Sequence, residues 1–351
     1  MKTRSGRWAL CLEQTLGHRA HSRNLEAAGE SVGVPFDVFH VEYPEHSRVR
    51  VPWTMRGSYR ARSALTKSGT RYDVAFYHTQ SVALLAPVTR AASRYVVSVD
   101  ATPVQMDTLG SFYGHREGHS LAEKAKRTMY RRVFTRAAAV VAWSEWAADS
   151  LVSDYGVERE RITVAHPGAP PEFFDIPREP APRRPRVLFV GGDFGRKGGP
   201  ELLRAFDRVK GSAELTIVSD VELPARDGVR VERGIRPGSE RLYEAYASAD
   251  IFCFPTKGDC TPLVLGEAMA AGLPVITTDV GSNLETLGGG AGGVVVSAGA
   301  EDQLATALQR LVADASERQQ MGRAAREIAR ERLDARKNGR RIFELLAEVA
   351  S

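Results

Sequence analysis

The sequence predicts an α/β chain made of two doubly wound parallel sheets, each covered by helices on both faces. Three observations carry this. Short apolar runs without polar alternation recur through both halves, as strands buried on two faces require. Helical stretches separate those runs, the rhythm of open parallel sheets. A proline-dense tract interrupts the rhythm once, and the pattern then restarts. At 351 residues the chain has room for two domains of ordinary size.

Taken in order, the first half offers strands at 8–12, 37–42, 74–77, 95–99, 139–142 and 163–166. Residues 120–139 read as a helix with Leu121, Ala125, Met129, Val133 and Phe134 on one side. Lys124, Lys126, Arg127, Arg131, Arg132 and Arg136 fill much of its remainder. Ser144 is placed to cap a helix running through Leu151. Seven prolines fall from Pro167 to Pro185, which is linker composition. The expected division is therefore a first domain at 1–169, a linker at 170–185 and a second domain at 186–334. A closing helix follows at about 335–351.

The second half opens with a strand at 186–192, a glycine-rich turn, and a helix at 200–210 with Leu202, Leu203, Phe206 and Val209 as its core stripe. Strands follow at 214–219, 229–232, 251–255 and 274–278. Thr261 reads as an N-cap, with Pro262 at the first helical position, where its missing N–H costs nothing.

Composition excludes several classes. With 43% hydrophobic residues, 8% aromatic and no low-complexity tract, the chain is globular. Cys11, Cys253 and Cys260 are too few and too scattered for a disulfide framework or a zinc site, which points to a reducing, cytoplasmic setting. No run approaches the ~20 apolar residues of a membrane span. The net charge of +5 suggests a polyanion partner, but only 8 of 48 basic residues are lysine, a skew that codon usage in a GC-rich genome explains. No nucleic-acid motif accompanies it, and no nucleic-acid partner is expected. The basic helix at 120–139 reads chiefly as the solvated face of a packed helix. Peripheral membrane contact is its other use.

Two segments carry chemistry. Gly191, Gly192, Gly195, Gly198 and Gly199 surround Arg196-Lys197 in the first turn of a strand–loop–helix unit, where open sheets bind ligands. Glycines permit close backbone approach, and the two cations suit a diphosphate. Further on, the amides of Leu263 and Val264 stand at a helix N-terminus, a natural phosphate seat, between the carboxylates of Asp259 and Glu267. Acids early in a helix are also favoured by its dipole alone. Glu267, however, lies among Leu263, Val264, Leu265, Met269 and Ala270, where a bare carboxylate is expensive. The glycine spacing fits no G-x-G-x-x-G frame and no G-x-x-x-x-G-K-[ST] occurs, which argues against dinucleotide enzymes and P-loop NTPases.

Asp259-x7-Glu267 followed by Ala268–Ile276 (AMAAGLPVI) resembles the signature of the retaining glycosyltransferases of family 4, and the resemblance extends over essentially the whole chain. It implies the GT-B architecture, two Rossmann-like domains facing a central cleft. It implies transfer of a sugar, with retention, from a nucleoside diphosphate sugar, for which UDP or GDP type is the default; no D-x-D acid cluster stands at a strand end, so no obligatory metal is expected. The acceptor is a carbohydrate, a lipid-linked glycan or a natural product. Arg196 and Lys197 are implied to hold the diphosphate, Glu267 the ribose and Asp259 the donor sugar. Gly17, Gly191, Gly192, Thr261, Leu263 and Val264 line the donor, and Gly234 and Ile235 meet the base. His18, His78 and Asp100, at strand ends of the first half, are sugar or acceptor contacts. The family usually has Glu at the position of Asp259 and His at that of Asp100. These departures keep a second reading open, a catalytically inactive nucleotide-binding partner; a sugar-nucleotide epimerase is a third.

Overall fold

The computed structural model describes residues 7–15, 17–43, 52–109, 120–178 and 183–351, apart from the side chains of 120–122. Pro180, Pro182 and the Leu121 side chain therefore lie outside the described residues. The chain divides into two compact units, one of residues 1–167 with 335–351, the other of residues 168–334.

The first unit holds a six-stranded sheet of β1 (Trp8–Glu13), β2 (Phe36–Val41), β3 (Tyr72–His78), β4 (Ala92–Val99), β5 (Ala139–Ala142) and β6 (Ile162–Val164). Its order is β2-β1-β3-β4-β5-β6, parallel throughout. Alternation splits its core into two layers. Ala9 and Cys11 of β1 with Ala75 and Tyr77 of β3 face one side; Trp8, Leu10 and Leu12 with Val74 and Phe76 face the other. Helices α1 (His18–Val32), α2 (Trp53–Lys67), α3 (Pro103–Thr108), α4 (Ser120–Arg136) and α5 (Glu145–Ser153) connect the strands. Ser144 caps α5 by accepting from Ala147 N at 3.1 Å. The last helix of the chain, Ala335–Ala350, packs on α1 with Ile342, Phe343 and Leu346 buried.

Helix α4 differs from its expected orientation. Tyr130, Val133 and Phe134 are buried, whereas Ala125 and Met129 are exposed. The expected apolar stripe ran i, i+4 from Leu121; the buried face sits one position later and centres on the largest rings. Lys126 pairs with Asp107 at 2.8 Å and Arg127 donates to Asp154 O, so part of the basic face is spent within the unit. No described helix is long and apolar enough to cross a membrane.

The second unit holds β7 (Arg186–Val190), β8 (Glu214–Val218), β9 (Val229–Glu232), β10 (Ile251–Phe254), β11 (Val275–Thr278) and β12 (Gly293–Val296), in the parallel order β12-β11-β10-β7-β8-β9. Helices α6 (Gly199–Phe206), α7 (Glu240–Ser248), α8 (Leu263–Ala270), α9 (Asn283–Thr286), α10 (Glu301–Ala313) and α11 (Ala315–Arg332) cover it. One crossover departs from the rhythm, since β8 reaches β9 through residues 219–228 without a helix. The proline-rich segment belongs to this unit: Phe173 and Ile176 sit in its core. Arg178 donates to the carbonyls of Tyr246, Ala249 and Ala271, and Arg326 to those of Ala270 and Ala271. Two guanidiniums thus cap the C-terminal end of α8, where the helix dipole is negative. Burial and the neighbouring Arg326 lower the Arg178 pKa to about 10, which leaves it charged at neutral pH.

Topology fixes where ligands belong. An open parallel sheet binds at the carboxyl ends of its strands, where the strand order reverses. The reversal lies between β7 and β10 in the second sheet and between β1 and β3 in the first.

Candidate functional site

The loops leaving β7 and β10 meet at that reversal. Gly198, with φ 79°, lets the β7 loop turn into α6, and a Cβ there would lie 1.9 Å from Pro255 O. Only glycine serves both demands. Lys257 N donates to Arg196 O at 2.9 Å, which ties the two loops through their backbones.

This contact brings together the cations and the first acid. Lys197 Nζ donates to both oxygens of Asp259 at 2.5 Å, and Arg196 Nη1 lies 3.5 Å from Asp259 Oδ1. Thr256 Oγ1 donates to Asp259 Oδ2 at 2.8 Å. Arg196 also pairs with Asp193 at 3.1 Å and donates to Gly258 O. The hydrogen bond from Arg196 N, more than any other contact, holds the Asp193 carboxyl below its usual range. Burial pulls the Lys197 ammonium down, Asp259 opposes that pull, and Arg196 adds to it. Lys197 also lies 5.3 Å over the Phe254 ring. Asp259, 8% exposed, therefore serves the lysine in this arrangement, where the sequence had it reaching a sugar.

Helix α8 begins one residue later than expected. Its N-cap is Pro262, with ψ 117° and no side-chain cap, and Thr261 instead accepts from Ser282 Oγ at 3.0 Å. Proline takes the extended cap conformation readily and leaves the amides of Leu263 and Val264 without an acceptor in the helix. They are an open positive pole. Gly281, at φ 58°, packs against the carbonyls of Asp259 and Cys260 and holds the preceding loop in place.

Glu267 is half-buried, and Tyr246 donates to its Oε2 at 2.9 Å. Gly234, expected at the base, gives its amide to Asp220 Oδ1 at 2.8 Å. Ile235 packs on the core and exposed Arg233 pairs with Glu222. Gly191 and Gly192 follow β7 directly.

The equivalent edge of the first unit is built otherwise. Gly17 is the N-cap of α1, and His18 Nε2 lies 3.9 Å from Asp100 Oδ2, both partly exposed. His78 is wholly buried, stacked on Trp143 at 5.7 Å, with Ser22 Oγ 3.3 Å from its Nδ1. It meets no solvent and supports its neighbours. His21 joins this cluster, 4.8 Å from Trp143 and 5.0 Å from His78. Burial is the main cause that lowers the His21 pKa to about 3 and pushes that of His78 well below its ordinary value. On the opposite face, buried Glu13 accepts from Thr15 at 2.7 Å and from Thr79, whose φ of 112° is unusual for a β-branched residue.

Sequence reasoning missed Tyr246, His21 and Glu13. Tyr246 stands four residues after Leu242 in a helix, which reads as ordinary core; the others are single residues at strand or helix ends with no spacing signal.

Comparison with known proteins bears on the family and the fold. The family described as "Glycosyl transferases group 1" matches residues 184–314, and "Glycosyltransferase Family 4" matches residues 14–173. The D-inositol 3-phosphate glycosyltransferase of Paenarthrobacter aurescens is 30% identical over 220 residues, 56% of this chain and 54% of that protein. A GDP-mannose-dependent α-(1-6)-phosphatidylinositol monomannoside mannosyltransferase of Mycolicibacterium smegmatis is 28% identical over 297 residues, 76% of this chain and 74% of its own. The chain spans about half the length of several curated relatives that it matches. Among solved structures, sucrose-phosphate synthase of Thermosynechococcus elongatus superposes with a TM-score of 0.77 at 18% identity, covering 98% of this chain and 99% of that one. Anabaena HepE in complex with UDP gives 0.70 at 16%, covering 97% and 99%. These likenesses show the GT-B fold.

Proposed function

We propose that this chain is a glycosyltransferase that moves a sugar from a nucleoside diphosphate sugar of UDP or GDP type to a hydroxyl acceptor, with retention of configuration and without an obligatory metal. The observation that carries the reading is the meeting of Arg196 and Lys197 with Asp259, four residues before the uncapped N-terminus of α8, at the strand reversal of the second sheet. Retention rests on the resemblance to family 4, and metal independence on the lack of a D-x-D acid cluster at a strand end of the sequence. HepE is described with UDP, and the mannosyltransferase relative as GDP-mannose-dependent, which supports both donor types.

In the reaction the bond from the anomeric carbon to the diphosphate oxygen breaks, and its electron pair leaves with the diphosphate. The acceptor oxygen bonds to that carbon, and its proton leaves on the departing phosphate. Negative charge grows on the leaving group while the sugar passes through an oxocarbenium-like state. Lys197, Arg196 and the amides of Leu263 and Val264 stabilise that charge without reorganising. Lys197 is held by Asp259 before donor arrives, so the diphosphate shares the ammonium with the carboxylate; Asp259 sets the lysine's position as well as approaching the sugar. Glu267 accepts from the ribose hydroxyls, and Gly234 and Ile235 flank the base. In the first unit, His18 and Asp100 serve as sugar or acceptor contacts, and the acceptor is a carbohydrate, lipid-linked or natural-product hydroxyl.

The deciding experiment is calorimetric binding of UDP, GDP, ADP and dTDP to the purified protein, repeated on Lys197→Ala. Selective binding of one diphosphate that the variant loses supports the reading and names the base. Binding that survives the variant, or none at all, removes it.

A further inference from the structure

We infer that Tyr246 is the positioning residue for Glu267 and thereby gives the site its preference for ribose over deoxyribose nucleotides. This rests on the reading of Glu267 as the ribose contact and adds to it a residue from a different helix.

Tyr246 lies in α7, whereas Glu267 lies on the second turn of α8. The tyrosine is completely buried, and its hydroxyl reaches Glu267 Oε2 at 2.9 Å. Burial first, and then the glutamate's charge, raise its pKa well above the ordinary value, so it stays protonated and remains a donor at every working pH. Its ring cannot swing away. Phe173 meets it edge-on at 5.0 Å and 89°, Phe252 stacks on it at 5.8 Å and 20°, and its carbonyl accepts from Arg178 at 2.8 Å. A glutamate side chain ordinarily keeps much rotamer freedom, and a ligand that fixes it loses that entropy on binding. Anchored to a boxed tyrosine, Glu267 has surrendered the freedom before the nucleotide arrives. Its carboxylate is then oriented for a pair of vicinal hydroxyls, which only a ribose offers.

A purely structural tyrosine and a positioning tyrosine differ in one readout. Loss of a structural hydroxyl lowers stability and leaves nucleotide selectivity alone. Loss of a positioning hydroxyl collapses the selectivity. The experiment compares UDP and GDP with their 2′,3′-dideoxy counterparts by calorimetry, on the full chain and on Tyr246→Phe. Wild type is expected to favour the ribose form. Tyr246→Phe is expected to weaken that form by about tenfold, the effect of losing a hydrogen bond to a charged group, and to leave the dideoxy form unchanged. In a Glu267→Gln background the tyrosine substitution should cost nothing more. A folded Tyr246→Phe with the wild-type ratio overturns the inference. If that variant fails to fold, Phe173→Leu keeps the hydroxyl but opens the box; a partial loss of selectivity supports the inference, and a wild-type ratio overturns it. Wild type that binds neither diphosphate removes the donor reading itself, and wild type that binds ribose and dideoxy forms alike removes the role of Glu267. Each removes this inference with it, by a result distinguishable from failure of the tyrosine alone.

Discussion

The carboxyl edges of the two sheets share a topology and have opposite electrostatics. In the second unit, Arg196 and Lys197 each face a carboxylate, exposed Asp193 or buried Asp259. In the first unit, His21 and His78 lie against Trp143 with no ion pair among the described residues, and burial drives both rings neutral. Partnership decides which buried groups stay ionised. A cluster of matched charges can exchange one partner for a phosphate; a cluster of neutral rings offers shape and hydrogen bonds.

Substitutions can break or sharpen that contrast. The largest effect is expected at the charged edge, where Lys197→Ala and Glu267→Ala should each lower turnover at least ~100-fold while the protein stays folded, the size of one lost preorganised group. Release of nucleoside diphosphate, with circular dichroism as the folding control, measures it. Near-normal turnover in both would erase the distinction between the edges.

Next comes acid stability of the neutral edge. The folded pKa values of His21 and His78 lie below the unfolded value of about 6.5. The unfolded chain therefore binds more protons below that pH, and stability falls as pH falls. From pH 7 to 5 His21 should cost about 2 kcal/mol and His78 should act in the same direction, and His21→Leu should remove its share. Denaturant titrations of both proteins at the two pH values test this; parallel losses would refute it.

A smaller effect follows at Asp259. Asp259→Asn withdraws the carboxylate that opposes the lowered Lys197 pKa, so the lysine loses its proton at lower pH. Nucleotide affinity should then fade earlier on the alkaline side, and weaken by ~1.5 kcal/mol at neutral pH, the lower bound for a hydrogen bond to a charged group. Binding isotherms from pH 7 to 10 report it. An alkaline limb that does not move would detach the acid from the lysine.

The smallest effect belongs to the exposed face of α4. Arg131→Ala with Arg132→Ala should change stability by less than ~0.5 kcal/mol. Sedimentation with anionic vesicles would show whether those two arginines carry membrane contact or are merely solvated.

The fold was largely legible in the chain because strands buried on both faces leave continuous apolar runs, and all of 139–142 and 229–232 emerged with their bounds. Gly293–Val296 escaped, since two glycines precede a run of only three valines. The α4 face was misread because Ala125 and Met129 fit the helical period as well as Tyr130 does, and size decided which side went inward. Among site residues, the cations and the acid pair were visible through glycine density and spacing. Their mutual pairing was not, because Lys197 and Asp259 are 62 residues apart and meet only when β7 and β10 become neighbours. Thr261 lost the cap to Pro262 through backbone geometry that residue preference cannot distinguish.

The arginines that close the far end of α8 have a reach beyond packing. A helix whose negative pole is covered by two cations keeps its positive pole uncancelled, so eight residues of backbone act as a one-sided source of potential at the phosphate seat. Arg178 comes from the proline-rich segment and Arg326 from α11, both ~12 Å from that seat by the rise of the helix. Replacing either with a neutral side chain would lower anion affinity without touching the anion. The stretch that reads as a connector between domains thus contributes charge at one end of the helix whose other end is the proposed phosphate seat.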